Sequence, residues 1–194
     1  MLKTPLLTLL VLVIAIGGGA GSLSAFLETA SPVGAVGAGP WTAFPDAGTP
    51  QADPYSRARF AREGGIPLGR SEGIVFTAVR DSAGQALSRD CTYRVQGPVP
   101  GARLWTLHAT DATGKPLPPL GRRISALHSQ MILRRPDQPL TITVSPHPEP
   151  DNWLAVTGAG AMHLVLTLLD TPVSAGLQLT ELALPQIVRV GCDA

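Results

Sequence analysis

Side chains that often carry chemistry are present in this sequence, but they do not form a familiar catalytic pattern. The four histidines are 20, 19 and 16 residues apart, with no HxH or HxxxH pair, at His108, His128, His147 and His163. Metal sites built within one element use such short spacings. A glycine-rich phosphate loop, a nucleophile elbow and an HExxH motif are also missing from the sequence. The sequence therefore predicts no metal, no cofactor and no catalytic residue, which favours a binding protein over an enzyme.

Two tryptophans and their polar neighbours are the most distinctive groups in the chain. The candidate ligand-binding residues are Trp105, Asp111, Arg122, Asn152 and Trp153. In one interpretation the rings close the ends of the fold, while Asn152 and Asp111 bond to the backbone of their own turns. In the other, the rings form the floor of a groove whose polar side chains contact a sugar-like or peptide ligand. The sequence leaves both interpretations open.

The N-terminus carries an export or membrane signal. Residues 4–27 hold no charged side chain, Lys3 precedes them, and Leu6 to Ile16 is almost purely aliphatic. This uncharged stretch is long enough to cross a hydrocarbon layer of about 30 Å, whereas its most apolar part has the length of a signal-peptide core. We expect residues 5–27 either to anchor the chain in the inner membrane with an exported C-terminal domain, or to be cleaved to leave a soluble periplasmic protein.

The two cysteines fit an exported protein. Cys91 and Cys192 both lie beyond the N-terminal signal, and cysteine pairs persist as disulfides in oxidising compartments. Neither cysteine belongs to a CxxC motif or has a histidine at metal-ligand spacing. We therefore expect one disulfide between them.

The charge balance excludes one class of partner. The 15 Lys and Arg residues nearly equal the 14 Asp and Glu residues, and no run of four basic residues occurs. Because Lys3 is the sole charged residue among residues 1–27, the exported part is formally neutral. Nucleic acids and anionic membrane surfaces are bound by basic patches. The sequence therefore predicts no nucleic-acid partner.

The chain divides into three parts. Residues 1–27 are the signal, residues 28–52 combine Gly, Ala and Pro as a linker and extended arm, and residues 53–194 form the predicted β-sandwich domain. Asp53 as an N-cap, a following proline and a later glycine pair predict a helix over residues 54–63. The abundance of glycine and proline disfavours a helical bundle.

After this helix, short runs rich in β-branched and aromatic residues recur between turn signals, which is typical of an antiparallel sandwich. The fold class is therefore all-β, an antiparallel β-sandwich preceded by a hydrophobic helix and one short helix. Met162–Leu169 is apolar on both faces, which predicts a central strand, and with Leu177–Leu184 it offers an apolar surface for a partner. The predicted strands are Gly73–Val79, Cys91–Val95, Arg103–Ala109, Ile124–Leu133, Leu140–Val144, Met162–Leu169 and Ile187–Val190.

Several segments together resemble a known bacterial family. The chain resembles the exported family called domain of unknown function 1214 in the order of its motifs. These are WTLxxxDAxGxP, then GR, then NWL, then an apolar strand that ends in DTP, and finally LPxI. The stretch from Asp53 to Gly73 resembles the short, single-domain members of that family. The matching residues are Trp105, Thr106, Leu107, Asp111, Gly114, Arg122, Asn152, Trp153, Leu154, Pro172, Leu184, Pro185 and Ile187.

The resemblance implies a β-sandwich of jelly-roll type with no established activity. In longer relatives this domain follows another, domain of unknown function 1254, in one polypeptide. The resemblance therefore implies a separately encoded exported partner of that second type. The expected function is a non-catalytic interaction module of the cell envelope, and the alternative is a carbohydrate-binding or carbohydrate-active sandwich.

This sequence departs from the family pattern at several positions. The tyrosine usual before the aspartate is absent at Ala109 and Thr110, the usual asparagine falls in the stretch occupied by Pro118 and Pro119, and Ala155 replaces the proline after NWL. If these positions line a site in relatives, this chain has changed it. No catalytic role is therefore carried over from the family.

Overall fold

The chain begins with one long helix, α1, which spans Lys3–Thr29. Its segment Thr4–Ala25 is 22 residues long, is apolar enough to cross a membrane and is exposed along its length. The predicted N-terminal hydrophobic helix is therefore confirmed. The computed structural model from which this and all following geometry is taken describes residues 3–29, 33–134, 140–175 and 182–192.

Within these described residues, ten strands form two sheets. The first has the order β1-β2-β3-β9-β5-β6 and is antiparallel throughout. The second has the order β10-β4-β7-β8. A short helix, α2 (Pro54–Glu63), precedes β3, and a 3-10 turn at Pro172–Ala175 follows β9. The strands are β1 (Val36–Ala38), β2 (Trp41–Ala43), β3 (Gly73–Ala78), β4 (Cys91–Gln96), β5 (Leu104–Asp111), β6 (Ala126–His128), β7 (Thr141–Ser145), β8 (Trp153–Ala155), β9 (Met162–Leu169) and β10 (Gln186–Cys192).

The core lies between the two sheets. Alternate side chains of each strand point inward, as the two-residue period of a strand requires, so that Phe76, Leu107 and Leu166 of the first sheet join Tyr93 and Ile142 of the second in one buried cluster. The sheets therefore pack face to face, and the predicted β-rich, two-sheet fold with one short helix is confirmed.

Strand β9 is central, as predicted, but only one of its faces is fully buried. It pairs with β3 on one side and β5 on the other. Its inward residues belong to the core, whereas His163, Val165, Thr167 and Leu169 are half-buried on the outer face. The apolar docking surface expected at Met162–Leu169 is therefore mostly core. Residues 177–181 of its expected second part lie outside the described residues.

Helix α2 begins and ends at the predicted residues. The carboxylate of Asp53 accepts hydrogen bonds from the backbone N–H groups of Tyr55 and Ser56, both at 2.9 Å, which satisfies two donors left free at a helix N-terminus. Gly64 ends the helix in the left-handed region at φ 67°. The helix is held against the preceding arm by Phe60, whose ring meets that of Phe44 edge to face at 5.9 Å.

Two strands lie in the segment predicted as a linker and extended arm. Val36–Ala38 and Trp41–Ala43 form a hairpin that pairs with β3. Trp41 is fully buried, and its indole N–H donates to the carbonyl of Pro185 at 2.7 Å, just before β10. This contact ties the two sheets together at one edge of the sandwich.

The two cysteines are joined across neighbouring strands. Cys91 at the start of β4 is the register partner of Cys192 at the end of β10, and their sulfur atoms are 1.99 Å apart. The predicted pairing is confirmed. Ser82 also holds β10 through two hydrogen bonds with Ile187. The backbone N–H of Ser82 donates to Ile187 O, and its side-chain hydroxyl accepts from Ile187 N–H.

Two expectations about strands are corrected. The segment Ile124–Leu133 contains only the short β6, because β6 pairs with three residues of β5 and the chain then turns, with Met131 N–H donating to His128 O at 3.0 Å. Strand β8 was not predicted, and it runs parallel to β7. The four-stranded sheet is therefore mixed, not antiparallel throughout.

Candidate functional site

At one side of the sandwich, each of the two sheets ends in a short strand of its own. β6 is the last strand of the six-stranded sheet, β8 is the last of the four-stranded sheet, and the two strands contact each other. Among the described residues, β6 pairs with β5 alone, so its other side offers unpaired backbone groups. Four large apolar side chains flank β6 and stay exposed, namely Leu120 (42%), Ile124 (63%), Met131 (52%) and Leu133 (62%). We refer to these four residues together with β6 as the β6 edge.

Asn152 holds one flank of the β6 edge. Its side-chain oxygen accepts from Leu133 N–H at 2.7 Å, and its amide donates to Leu133 O at 2.9 Å and to Thr141 O at 3.1 Å. Because the side chain is buried, these bonds are shielded from water and each is costly to leave unmade. Asn152 therefore fixes the backbone that presents the Leu133 side chain to solvent.

Trp153 holds the other flank. Its indole N–H donates to Ser145 O at 3.0 Å, and its ring lies under the guanidinium of Arg123 at 4.8 Å. Arg123 also donates to Trp153 O at 3.3 Å, and its backbone closes a tight turn with Leu120 through two hydrogen bonds. A cation over an indole ring is an attractive contact. The neighbouring pair Asn152 and Trp153 thus fixes both loops of the β6 edge.

Trp105 lies close to the same edge but points inward. Its side chain is buried, and its backbone carbonyl accepts from Ser129 N–H at 2.9 Å, directly after β6. With Asn152 and Leu133 it borders a cavity of about 1,070 Å³ at the end of the sandwich. Charges of both signs also border this cavity, among them Arg94.

Asp111 and Arg122 do not join this group. Asp111 ends β5 six residues from Trp105, which is about 20 Å along an extended strand. Its carboxylate accepts from Thr113 N–H, the Thr113 hydroxyl and Lys115 N–H, so it shapes its own turn. The hydrogen bond from the Thr113 side chain is the main reason that the pKa of Asp111 is below its usual value. Arg122 is exposed in the turn before β6, and its neighbour Arg123 makes the contact with Trp153.

The five candidate residues therefore do not line one groove. Asp111 bonds to its own turn, as the structural interpretation expects, whereas Asn152 bonds to the distant backbone of Leu133 and Thr141. Trp153 is buried, and Trp105 lies beside it. All three tryptophan rings of the chain are buried, so none offers an open face for a sugar to stack on. Within the described residues, no group of three or more His, Cys, Asp or Glu side chains is placed to hold a metal ion.

The residues that define the β6 edge were not predicted from the sequence. Reading Ile124–Leu133 as one long strand implied that alternate side chains were buried, whereas Ile124 and Leu133 lie in loops outside β6. For the loop before β6, the usable sequence signal is Gly121, because glycine favours a turn. In the structure Gly121 has φ 61° and lies in the turn Leu120–Arg123.

Comparison with known proteins decides the family. A family model described as "Protein of unknown function (DUF1214)" matches residues 72–173, just over half of the chain. The chain belongs to this family. The resemblance noted in the sequence is thereby confirmed, and the matched region runs from the start of β3 to just beyond β9. It includes Asn152, Trp153 and the whole β6 edge. No curated protein matches the chain.

Two solved structures are similar to this chain at low sequence identity. The VPA0106 protein from Vibrio parahaemolyticus is 16% identical, with a TM-score of 0.59 over 91% of this chain and 44% of that chain. A putative uncharacterized protein from Burkholderia cenocepacia is also 16% identical, with a TM-score of 0.44 over 92% of this chain and 51% of that chain. The chain therefore spans about half or less of the length of these proteins. The Vibrio protein supports the fold alone.

Proposed function

We propose that this protein is an exported, non-catalytic domain of the cell envelope that binds a second exported protein through the β6 edge. The observation that carries the proposal is the set of four exposed apolar side chains beside an open strand edge. Exposed apolar groups and unpaired strand edges are features that proteins normally cover. Here they are held in place by buried contacts of Asn152 and Trp153, so the edge is a fixed surface.

Two features support export to the periplasm. Segment Thr4–Ala25 has the length and hydropathy of a membrane span, and Cys91 is bonded to Cys192. A cysteine pair of this kind is stable outside reducing compartments. We propose a single-pass inner-membrane anchor with the sandwich in the periplasm, and the alternative is a soluble periplasmic protein released by cleavage near Ala25.

The partner we propose is a separately encoded exported protein of the domain of unknown function 1254 type. The chain covers only 44% of the Vibrio protein, so in that protein the same fold is part of a longer chain. A second domain packed on the β6 edge would cover the four apolar residues there. We further propose that the two sheets are of the jelly-roll type, as the family resemblance implies.

The alternative function is carbohydrate binding at the cavity beside Trp105. Its favourable feature is a polar lining that includes Arg94, Arg134 and Asp151. Two observations favour the docking proposal instead. The Trp105 ring is buried, and the Asn152 amide already makes three hydrogen bonds to the protein.

The docking proposal is tested by placing charges on the β6 edge. The full-length protein, co-expressed with a tagged partner of the 1254 type, should co-purify with it. Ile124→Glu combined with Leu133→Glu should weaken binding by roughly a hundredfold, because two carboxylates would be buried without partners. Both side chains are more than half exposed, so the variant should keep its melting temperature.

The matched control places two glutamates on a different exposed strand. Val188 and Val190 are exposed on β10, at the opposite edge of the four-stranded sheet. Val188→Glu combined with Val190→Glu should leave co-purification unchanged. Docking at the β6 edge is contradicted if both double variants bind the partner equally well or lose binding equally. A soluble glycan that competes with the partner for binding would favour the carbohydrate alternative.

A further inference from the structure

A second cavity lies on the outer face of the six-stranded sheet, and no residue of the β6 edge lines it. It has a volume of about 580 Å³, within the usual range for small-molecule sites. The floor is the sheet itself, with Val165 of β9 and His108 of β5 as neighbours in register. The roof is formed by the arm and by α2 with the segment after it, including Phe44, Phe60 and Leu68.

The lining is apolar with very little charge. Aromatic and aliphatic side chains cover the roof, and valines and threonines cover most of the floor. Among the described residues that line the cavity, Arg59 is the sole Asp, Glu, Lys or Arg. Its guanidinium lies 5.7 Å from the centre of the Phe44 ring. Because the one formally charged side chain among these described lining residues is a cation, the cavity favours an apolar ligand with an acidic or hydrogen-bonding end.

His108 provides such a hydrogen-bonding group in the floor. Its side chain is half-buried, and no group in the described part of the chain forms a hydrogen bond with its ring. Burial lowers the pKa of His108 below its usual value, which keeps the imidazole neutral near pH 7. A neutral imidazole donates through one nitrogen and accepts through the other. Because its ring is not engaged by the protein, it is available to a ligand.

The cavity also lies near the end of α1 along the chain. The hydroxyl of Ser56 in α2 donates to Val33 O at 3.1 Å. Val33 is four positions after Thr29, where α1 ends, and four extended residues span at most about 14 Å. Ile66, at the rim of the cavity, is 94% exposed. With α1 in a bilayer, the mouth of the cavity would lie within reach of membrane amphiphiles.

We propose that this cavity binds a single-chain amphiphile of the fatty-acid class. The hydrocarbon chain lies between Val165 and the aromatic roof, and the carboxylate is held by Arg59 and the ring of His108. The apolar walls supply most of the binding energy, and the polar groups select the head group. The proposal rests on the membrane attachment proposed above but not on the β6 edge.

The test uses the full-length protein in phosphatidylcholine nanodiscs with a photoreactive palmitate as the probe. After illumination, mass spectrometry should find the label on peptides that contain Phe60 and Val165, and unlabelled palmitate should compete. Val165→Trp fills the cavity and should lower this labelling at least about tenfold. The matched control is Val188→Trp on the outer face of the other sheet, which should label like the original protein.

A second variant tests the head-group contact without filling the cavity. Arg59→Gln should weaken competition by palmitate several-fold and leave competition by hexadecanol unchanged, because the alcohol carries no charge. Labelling confined to α1, or equal labelling of the Val165→Trp and Val188→Trp variants, would overturn the proposal. So would a photoreactive phosphatidylcholine that labels the cavity as well as palmitate does. Co-purification with the partner protein should be the same in all these variants, which separates this result from the docking test.

Discussion

Trp153→Ala is expected to lower the free energy of unfolding by about 3–5 kcal/mol, the usual cost of truncating a packed tryptophan. The indole is buried, its N–H donates to Ser145 O, and its face supports Arg123. Alanine removes all three contacts and leaves Ser145 O without that donor. Denaturant unfolding followed by circular dichroism measures the loss, and thermal unfolding should show a sharply lower midpoint.

A matched variant separates volume from the specific contacts. Trp153→Phe keeps most of the buried ring but loses the indole N–H. Its free energy of unfolding should therefore fall by less than that of Trp153→Ala. Hydrogen exchange should also become faster at Leu120–Ile124 in Trp153→Ala, because Arg123 no longer has its ring partner. A Trp153→Ala protein as stable as the original, with slow exchange there, would show that Trp153 does not hold this flank.

Loss of the disulfide has the second large effect. Cys91→Ala combined with Cys192→Ala should destabilise the fold by about 2–5 kcal/mol, because the bond closes a loop with a sequence separation of 101 residues. Long loops lose the most entropy when they are cross-linked in the unfolded chain. Reductant should lower the free energy of unfolding of the original protein by a similar amount. It should leave the free energy of unfolding of the double variant unchanged.

The bond itself can be checked by peptide mapping under non-reducing conditions. Protein from the oxidising compartment should yield one linked pair of peptides, containing Cys91 and Cys192. Two free thiols in that protein would contradict both the disulfide and the argument for export that rests on it.

The sequence predicted those elements whose signals are local. Helix α2 has an N-cap, a proline at its first position and a glycine at its end, and its bounds are as predicted. Met162–Leu169 is a continuous apolar run, and it is β9. The hairpin of β1 and β2 has only three residues in each strand. It is held by pairing with β3 and by the Trp41 contact with Pro185, 144 residues away, and no local pattern reports such partners.

The candidate site was predictable only in part, because its contacts are not local in sequence. Asn152 and Trp153 stand out by residue type, and a structural role for them was one of the two interpretations. Their partners are distant in sequence, since Leu133 is 19 residues from Asn152 and Arg123 is 30 residues from Trp153. Arg122 was the predicted residue, but side-chain direction in a turn decides which of two neighbouring arginines reaches the ring, and Arg123 does so. Asp111 was correctly placed in a turn, and that turn occupies its carboxylate.

The same contacts link stability and docking at the β6 edge. Trp153→Ala should weaken both, because it releases the turn that presents Leu120 and Ile124. Ile124→Glu should affect docking alone, because the side chain is exposed and makes little contact with the core. The two classes of variant therefore distinguish a surface that binds from contacts that merely hold the fold.

The most direct measurement is site-specific photocrosslinking in living cells. A benzoylphenylalanine replaces Ile124 in one strain and Val190 in another, and the cells also produce a tagged partner of the 1254 type. Docking at the β6 edge predicts a crosslinked complex of the two proteins after illumination at position 124 and little or none at position 190. Crosslinks at position 190 alone, or none at position 124 when the partner is present in the periplasm, would contradict docking at the β6 edge.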